Sequence, residues 1–135
     1  MSNRQTATES FRPDVFTTDP PALLGILCPH CSRKSFPTRE NCPFCGADQV
    51  DTQVRLSPSG RIYSYTIVRQ APPGRATPYA LAYIDLPADD IRVLAPVISA
   101  ELDAIRIGDH VTLVAVQENS APTTFAFRLL HERQA

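Results

Sequence analysis

The chain has 135 residues, of which 43% are hydrophobic and 20% charged, and its formal net charge is −1. This length fits one ordinary domain or a small domain with an attached module, and the apolar content excludes a fully disordered chain. No apolar run approaches the roughly 20 residues that a membrane span requires, and the near-zero charge disfavours a protein that mainly grips nucleic acid.

Polar residues dominate the start of the chain, and we expect residues 1–21 to form a mobile segment. The sequence MSNRQTATES lacks the basic and apolar pattern of a secretory signal, which predicts a cytoplasmic protein. Thirteen prolines are about twice the usual share of roughly 5%. Since proline interrupts helices and central strands, long helices are not expected. The apolar run 20–27 is the expected lead strand of the next module.

All four cysteines lie in two C-x-x-C turns separated by ten residues, namely Cys28, Cys31, Cys42 and Cys45. Each turn points two sulfurs at one centre, and two turns supply the four soft ligands of a tetrahedral site. Proline follows the first cysteine of each turn and stiffens it, and Gly46 follows the last cysteine. The spacing therefore predicts a rubredoxin-like zinc ribbon with four cysteine ligands over residues 22–50, and a closed, structural metal site.

Three alternatives to a zinc site are iron, two disulfides and a redox motif. Iron is the main rival to zinc, because a tetrahedral set of four sulfurs suits either metal. Two disulfides fit poorly with a cytoplasmic chain. A redox C-x-x-C needs one pair ahead of a helix, which Pro37 and Pro43 oppose. We expect His30, inside the first turn, to be an exposed turn residue.

Short strands follow from residue 54 onward. Runs rich in β-branched and aromatic residues alternate with proline, glycine and aspartate turns. Five strands are predicted, at 61–68, 79–86, 91–98, 111–117 and 124–130. A non-strand connector, 101–109, separates the third from the fourth. The chain is therefore predicted to be mainly β, with a five-stranded OB-fold barrel over 54–131.

Five motifs together resemble one family. They are LGILCPHC (24–31), FPTRENCPFCG (36–46), SGRIYSYT (59–66), PYALA (78–82) and IGDHV (107–111). In this order they resemble the bacterial and archaeal zinc-ribbon/OB-fold proteins, of domain-of-unknown-function type, that accompany thiolases. The resemblance spans about residues 22–130.

The resemblance implies a non-catalytic accessory subunit that assembles with a thiolase-like or other acyl-CoA enzyme. In such a complex the partner carries the catalytic cysteine and histidine, while the OB protein completes or gates the entrance for acyl-CoA and helps hold coenzyme A. The N-terminal helical stretch of many members is not found here. The short start resembles small subunits of thiolases for aromatic-derived acyl-CoA, such as benzoylsuccinyl-CoA thiolase.

No catalytic residue is predicted within this chain. The cysteines are assigned to metal, and His110 and His131 are expected at a strand start and in the tail. The charge is unevenly distributed: four arginines and no acid lie between Asp51 and Asp85, whereas the segment from Asp85 to Asp109 contains six acids, both ends included. Guanidinium groups pair well with phosphates, so the arginines that flank the proline-rich loop are our candidates for binding coenzyme A. These are Arg69 and Arg75.

Four tyrosines support an alternative function. Alternation along a strand places Tyr63 with Tyr65 on one face, and Tyr79 with Tyr83 on one face. Stacking aromatics on an OB barrel are typical of single-stranded nucleic-acid binding. The net charge of −1 and the acidic second half oppose this alternative. Packing against the barrel wall or a partner is the simpler interpretation.

Overall fold

The computed structural model describes residues 10–18, 20–37, 39–73, 76–117 and 122–130. These residues form nine strands and one 3₁₀ turn, Leu102–Ala104, and the described part of the chain contains no helix that could cross a membrane. The strands are β1 (Phe16–Thr18), β2 (Pro21–Leu27), β3 (Lys34–Ser35), β4 (Thr52–Arg55), β5 (Ser59–Val68), β6 (Tyr79–Leu86), β7 (Ile91–Ile98), β8 (His110–Val116) and β9 (Thr124–Leu129).

The last five strands close into a barrel with the neighbour order β5-β6-β7-β9-β8. All neighbours are antiparallel except β7 and β9, which run parallel and pair at Val97↔Phe127 and Ile98↔Arg128. This order, with the 3₁₀ turn between the third and fourth strands of the barrel, is the OB-type Greek key. The prediction of a mainly β chain with a five-stranded OB barrel is confirmed.

Alternation along the strands fills the barrel with apolar side chains. Ile62 on β5, Ile84 on β6, Val111 on β8 and Phe127 on β9 are almost fully buried in one cluster. Their strand neighbours point outward, because successive side chains of a strand face opposite sides of the sheet. The outer side therefore holds the polar and aromatic residues.

A bulge in β5 changes the placement of its tyrosines. The register of β5 against β6 pairs Ile62 with Ile84 and then Ser64 with Tyr83, so Tyr63 is an extra residue. Tyr63 is exposed, whereas Tyr65 packs against the core cluster. The expectation that these two tyrosines share a face is wrong, because a bulge shifts the alternation by one residue.

A second sheet precedes the barrel, with β2 at its centre. β1 pairs with the first residues of β2 and β3 pairs with its last residues. β4 pairs with the opposite edge of β2. Gly25 in β2 lies so close to the backbone of β3 that a Cβ atom would stand 2.7 Å from the Ser35 carbonyl oxygen. β1 lies inside the segment 1–21 and was not predicted. The division at residues 21 and 54, and the mobility of the first segment, stay predictions.

The two parts of the chain share one hydrophobic core. Phe16 on β1, Leu23 on β2 and Leu56 after β4 belong to the same buried cluster as the inner residues of the barrel. Phe125 on β9 contacts three rings from the earlier segment, those of Phe11, Phe16 and Phe36, at centroid distances of 6.1, 5.7 and 6.4 Å. A smaller cluster surrounds the cysteines.

A partly buried ion pair joins the two sheets between residues 55 positions apart in the sequence. Lys34 Nζ on β3 donates to Asp89 Oδ1 at 2.6 Å, and the Ser57 N–H donates to Asp89 Oδ2 at 2.6 Å. The Asp89 side chain is 5% exposed and that of Lys34 is 30% exposed. Because a buried carboxylate is stable only when it is paired and hydrogen-bonded, these two donors fix the β6–β7 turn against β3.

Asp89→Asn is expected to destabilise the fold. An amide group must aim its NH₂ at either Lys34 Nζ or the Ser57 N–H, so one donor faces another donor. The free energy of unfolding should fall by about 1.5–3 kcal/mol, the range for a lost hydrogen bond to a charged group. Urea unfolding followed by circular dichroism measures the change.

The neighbouring residue provides a matched control. Asp90 Oδ2 lies 3.8 Å from Arg33 Nη2, and the two side chains are 92% and 51% exposed. Exposed pairs contribute about 0–1 kcal/mol, so Asp90→Asn should leave stability nearly unchanged. Equal losses in both variants would contradict the structural role given to Asp89.

Candidate metal centre and exposed ligand residues

The four predicted cysteines meet at one point. Their Sγ atoms all lie within 4.8 Å of one another. The distance is 3.6 Å between the Sγ atoms of Cys28 and Cys45, and 3.6 Å between those of Cys31 and Cys42. The two C-x-x-C turns, which are well separated in the sequence, are thus brought together as a hairpin.

Both turns have the same backbone hydrogen bonds. In the first turn, the N–H of Ser32 donates to the Cys28 carbonyl at 2.8 Å, and the Cys28 N–H donates to the carbonyl of Arg33 at 2.9 Å. In the second turn, the N–H of Gly46 donates to the Cys42 carbonyl at 3.0 Å, and the Cys42 N–H donates to the carbonyl of Ala47 at 3.0 Å.

The residue four positions after the first cysteine of each turn has left-handed backbone geometry. Gly46 adopts φ 81°, and Ser32, at the equivalent place in the first turn, adopts φ 65°. Glycine meets this requirement without steric cost, whereas a residue with a Cβ does not. The backbone of the turn therefore favours the glycine that ends the CPFCG motif, while the first turn accommodates Ser32 in the same conformation.

The pKa values of two of the thiols, Cys42 and Cys45, are shifted in opposite directions. The backbone N–H of Cys45, together with that of Phe44 at 3.4 Å from Cys42 Sγ, lowers the pKa of Cys42 to about 6. At Cys45, the Ala47 N–H lowers the pKa, but burial and the neighbouring thiols outweigh it and raise the pKa to about 12. One thiolate therefore opposes ionisation of its neighbours, and four thiolates need a cation to neutralise them.

The geometry fits a tetrahedral metal. A Zn–S bond of about 2.3 Å places neighbouring sulfurs roughly 3.8 Å apart in a tetrahedron, close to the two distances of 3.6 Å found here. Four sulfurs complete the coordination of such an ion, and a tetrahedral S₄ set suits zinc or iron. His30 lies in an exposed turn and does not belong to the cluster.

The candidate residues for coenzyme A are placed differently. Arg69 follows β5 and lines a cleft with Glu101 and Asp103, whose negative charge opposes the binding of a phosphate there. Arg75 lies outside the described residues, as does His131. His110 is exposed at the first position of β8.

Sequence reasoning missed a cluster on the outer side of the barrel. The Arg92 guanidinium lies 3.4 Å from the centre of the Tyr63 ring, and its Nε donates to Asp85 Oδ1 at 2.6 Å. This ion pair raises the pKa of Arg92, mainly through the hydrogen bond to Asp85. Asp85 and Arg92 are register partners on β6 and β7. The predicted β6–β7 hairpin could have indicated that Asp85 and Arg92 lie close together. The bulge that brings Tyr63 to them has no marker in the sequence.

Comparisons with known proteins agree with this geometry. The family described as "ChsH2, C-terminal OB-fold domain" matches residues 53–116. The benzoylsuccinyl-CoA thiolase subunit BbsA of Thauera aromatica is 33% identical over 107 residues, which are 76% of this chain and 72% of BbsA. A "DUF35 domain-containing scaffold protein" of Methanocaldococcus jannaschii is 31% identical over 94 residues, 68% of this chain and 66% of the relative.

A solved structure has the same fold. The chain from "Ltp2-ChsH2(DUF35) aldolase" superposes with a TM-score of 0.69 and 28% sequence identity, covering 80% of this chain and 84% of that chain. The family resemblance inferred from the five motifs is thereby confirmed. On its identity to BbsA and to the DUF35 domain-containing scaffold protein, and on the fold that it shares with the DUF35 domain of the aldolase, the chain belongs to the DUF35 family of OB-fold proteins.

Proposed function

We propose that this chain is a non-catalytic subunit of an acyl-CoA-processing complex, most directly of a thiolase. The observation that carries the proposal is the identity to BbsA, a named thiolase subunit, over 76% of this chain. The match to an aldolase that contains a DUF35 domain agrees with a broader role beside enzymes of this kind.

The metal in this proposal is a structural zinc ion. Cys28, Cys31, Cys42 and Cys45 would hold it, and the ion would supply charge neutralisation and a crosslink between the two turns. Only a small buried cluster surrounds the cysteines. A module with so small a core gains much of its folding free energy from the metal.

The chain contributes a rigid surface to the complex. The shared core and the Lys34–Asp89 pair fix the cysteine hairpin relative to the barrel. In the assembled complex the barrel completes or gates the acyl-CoA entrance, and Arg69 and Arg75 pair with phosphates of coenzyme A. Both arginines are candidates from the sequence, and a phosphate bound at Arg69 would lie in a cleft that Glu101 and Asp103 also line.

Exposed tyrosines on the barrel favour a second candidate, a single-stranded nucleic-acid-binding module. Tyr63 and Tyr83 are both about half exposed on the outer side of the barrel, and such rings can stack on bases. Asp85 lies beside them. Since affinity for nucleic acid comes largely from neutralising phosphates, a carboxylate at this place weakens the second candidate.

The first experiment is to isolate the tagged chain from its native host and identify bound proteins by mass spectrometry and bound metal by elemental analysis. We expect a thiolase-like or other acyl-CoA enzyme in fixed stoichiometry, with one zinc per chain. Recovery of nucleic acid or nucleic-acid enzymes would replace the proposal with the second candidate.

Cys42→Ser should remove the metal and the partner together. The variant lacks one of four ligands, so we expect less than about one tenth of the wild-type zinc content and loss of the partner enzyme on size-exclusion chromatography. His30→Ala is the control and should retain zinc and partner, because His30 lies outside the cluster. A fully active complex carrying Cys42→Ser would contradict the structural role of the metal.

Changing Arg69 and Arg75 to alanine should weaken coenzyme A binding by the assembled complex about tenfold, which corresponds to about 1.4 kcal/mol. Isothermal titration of the complex with coenzyme A measures the affinity. Arg55→Ala, an exposed arginine on β4, provides the control for a general change of charge. Unchanged affinity in the double variant would exclude both arginines from the binding site.

A further inference from the structure

Exposed apolar side chains are concentrated on one face of the barrel. Seven large apolar side chains in the described part of the chain are exposed, and four of them lie together. These are Tyr63, Tyr83, Leu94 and Ile107, which are 51%, 46%, 51% and 67% exposed. Single exposed apolar residues are ordinary, but a contiguous group marks an interaction site.

Strand pairing makes this group contiguous. Tyr83 on β6 is the register partner of Leu94 on β7, and it also faces Ser64, the residue after the bulged Tyr63. Gly108 donates its N–H to the Ile62 carbonyl at 2.8 Å, which holds Ile107 next to Tyr63. We call the side chains of Tyr63, Tyr83, Leu94 and Ile107 the Tyr–Leu face.

A cleft of about 590 Å³ lies at one end of this face. Tyr63 and Ile107 line it, together with Arg61, Arg92 and Asp85. The Tyr63 ring is held in place by the Arg92 guanidinium, which Asp85 fixes in turn. A side chain that is already ordered loses little conformational entropy on binding, and tyrosine and arginine are the residues enriched at binding hot spots.

Each acid of the cleft is paired with an arginine other than Arg61, although Arg61 faces Asp85 in the strand register. Asp85 pairs with Arg92 at 2.6 Å, and Asp90, which also lines the cleft, lies 3.8 Å from Arg33. Among the residues that the structure describes, Arg61 has no ion pair. A complementary surface therefore brings an apolar side chain to the cleft and a carboxylate to Arg61.

We propose that the Tyr–Leu face is where the acyl-CoA enzyme docks, with an apolar side chain of that enzyme in the cleft and one of its carboxylates on Arg61. This inference rests on the proposed function for the class of partner. A protein fits the cleft better than nucleic acid does, because Tyr63 and Ile107 give it an apolar lining and Arg61 is the one described lining arginine without an ion pair, whereas affinity for nucleic acid comes from neutralising several phosphates. The aromatic and aliphatic residues at the centre, with charged residues at the rim, match the composition of protein interfaces.

The test uses the complex of the full chain with the acyl-CoA enzyme recovered from the host. Leu94→Glu places a charge at the centre of the face, and Arg61→Glu reverses the charge at the cleft. Both positions are exposed strand residues, so the fold should survive, which circular dichroism and zinc content verify. We expect each variant to bind the enzyme at least about tenfold more weakly, and Arg61→Glu to reduce the salt dependence of association.

Phe44→Glu is the matched control. Phe44 is 48% exposed, as Leu94 is 51% exposed, but it lies in the second cysteine turn, next to Arg33. We expect this variant to bind within about threefold of wild type, a change of less than about 1 kcal/mol. Loss of binding in Phe44→Glu alone, or equal loss in all three variants, would overturn the assignment of the Tyr–Leu face.

Hydroxyl-radical footprinting provides a second measurement on the wild-type complex. Tyr63, Tyr83 and Leu94 should be protected when the enzyme is bound, and their unchanged reactivity would overturn the inference. If no acyl-CoA enzyme is recovered with the wild-type chain, the proposed function fails. If the complex forms and Leu94→Glu and Arg61→Glu leave it intact, only the docking face is wrong.

Discussion

The buried carboxylate of Asp89 is the constraint on which the arrangement of this chain depends. It must be paired, and its two donors come from β3 and from the segment between β4 and β5. Three parts of the sequence therefore meet at one point: the cysteine hairpin, the connection to the barrel and the β6–β7 turn. The shared core adds attraction between the two sheets, but apolar contacts are non-directional. The ion pair fixes their relative orientation.

The cysteine centre and the barrel fold by different means. Alternating apolar strands give the barrel most of the residues of the shared core, whose burial stabilises the fold. Around the cysteines, four residues form a small cluster, and two of them are the candidate metal ligands Cys28 and Cys42. The two turns share one pattern of backbone hydrogen bonds, so the peptide geometry brings four sulfurs together. Their mutual repulsion as thiolates is what a metal ion relieves.

Features set by local pattern could be predicted from the sequence, and features set by distant contacts could not. The C-x-x-C spacing placed all four sulfurs in one cluster, and alternation located the five barrel strands. The bulge at Tyr63 was missed because it reverses the alternation without an unusual residue to mark it. The Lys34–Asp89 pair was missed because no local pattern connects residues 55 positions apart. β1 was missed because it is only three residues long and follows a polar start.

The β6–β7 hairpin links the cysteine centre to the outer side of the barrel. Its turn carries Asp89, which binds Lys34, three residues beyond the candidate ligand Cys31. Its two strands carry Tyr83 and Leu94, side by side, and the Asp85–Arg92 pair that orders Tyr63. The β6–β7 hairpin thus contacts the segment that carries the cysteines and also presents the exposed apolar side chains. The proposed metal would order the first cysteine turn, and the contact of Lys34 with Asp89 connects that turn to the hairpin that presents the outer face.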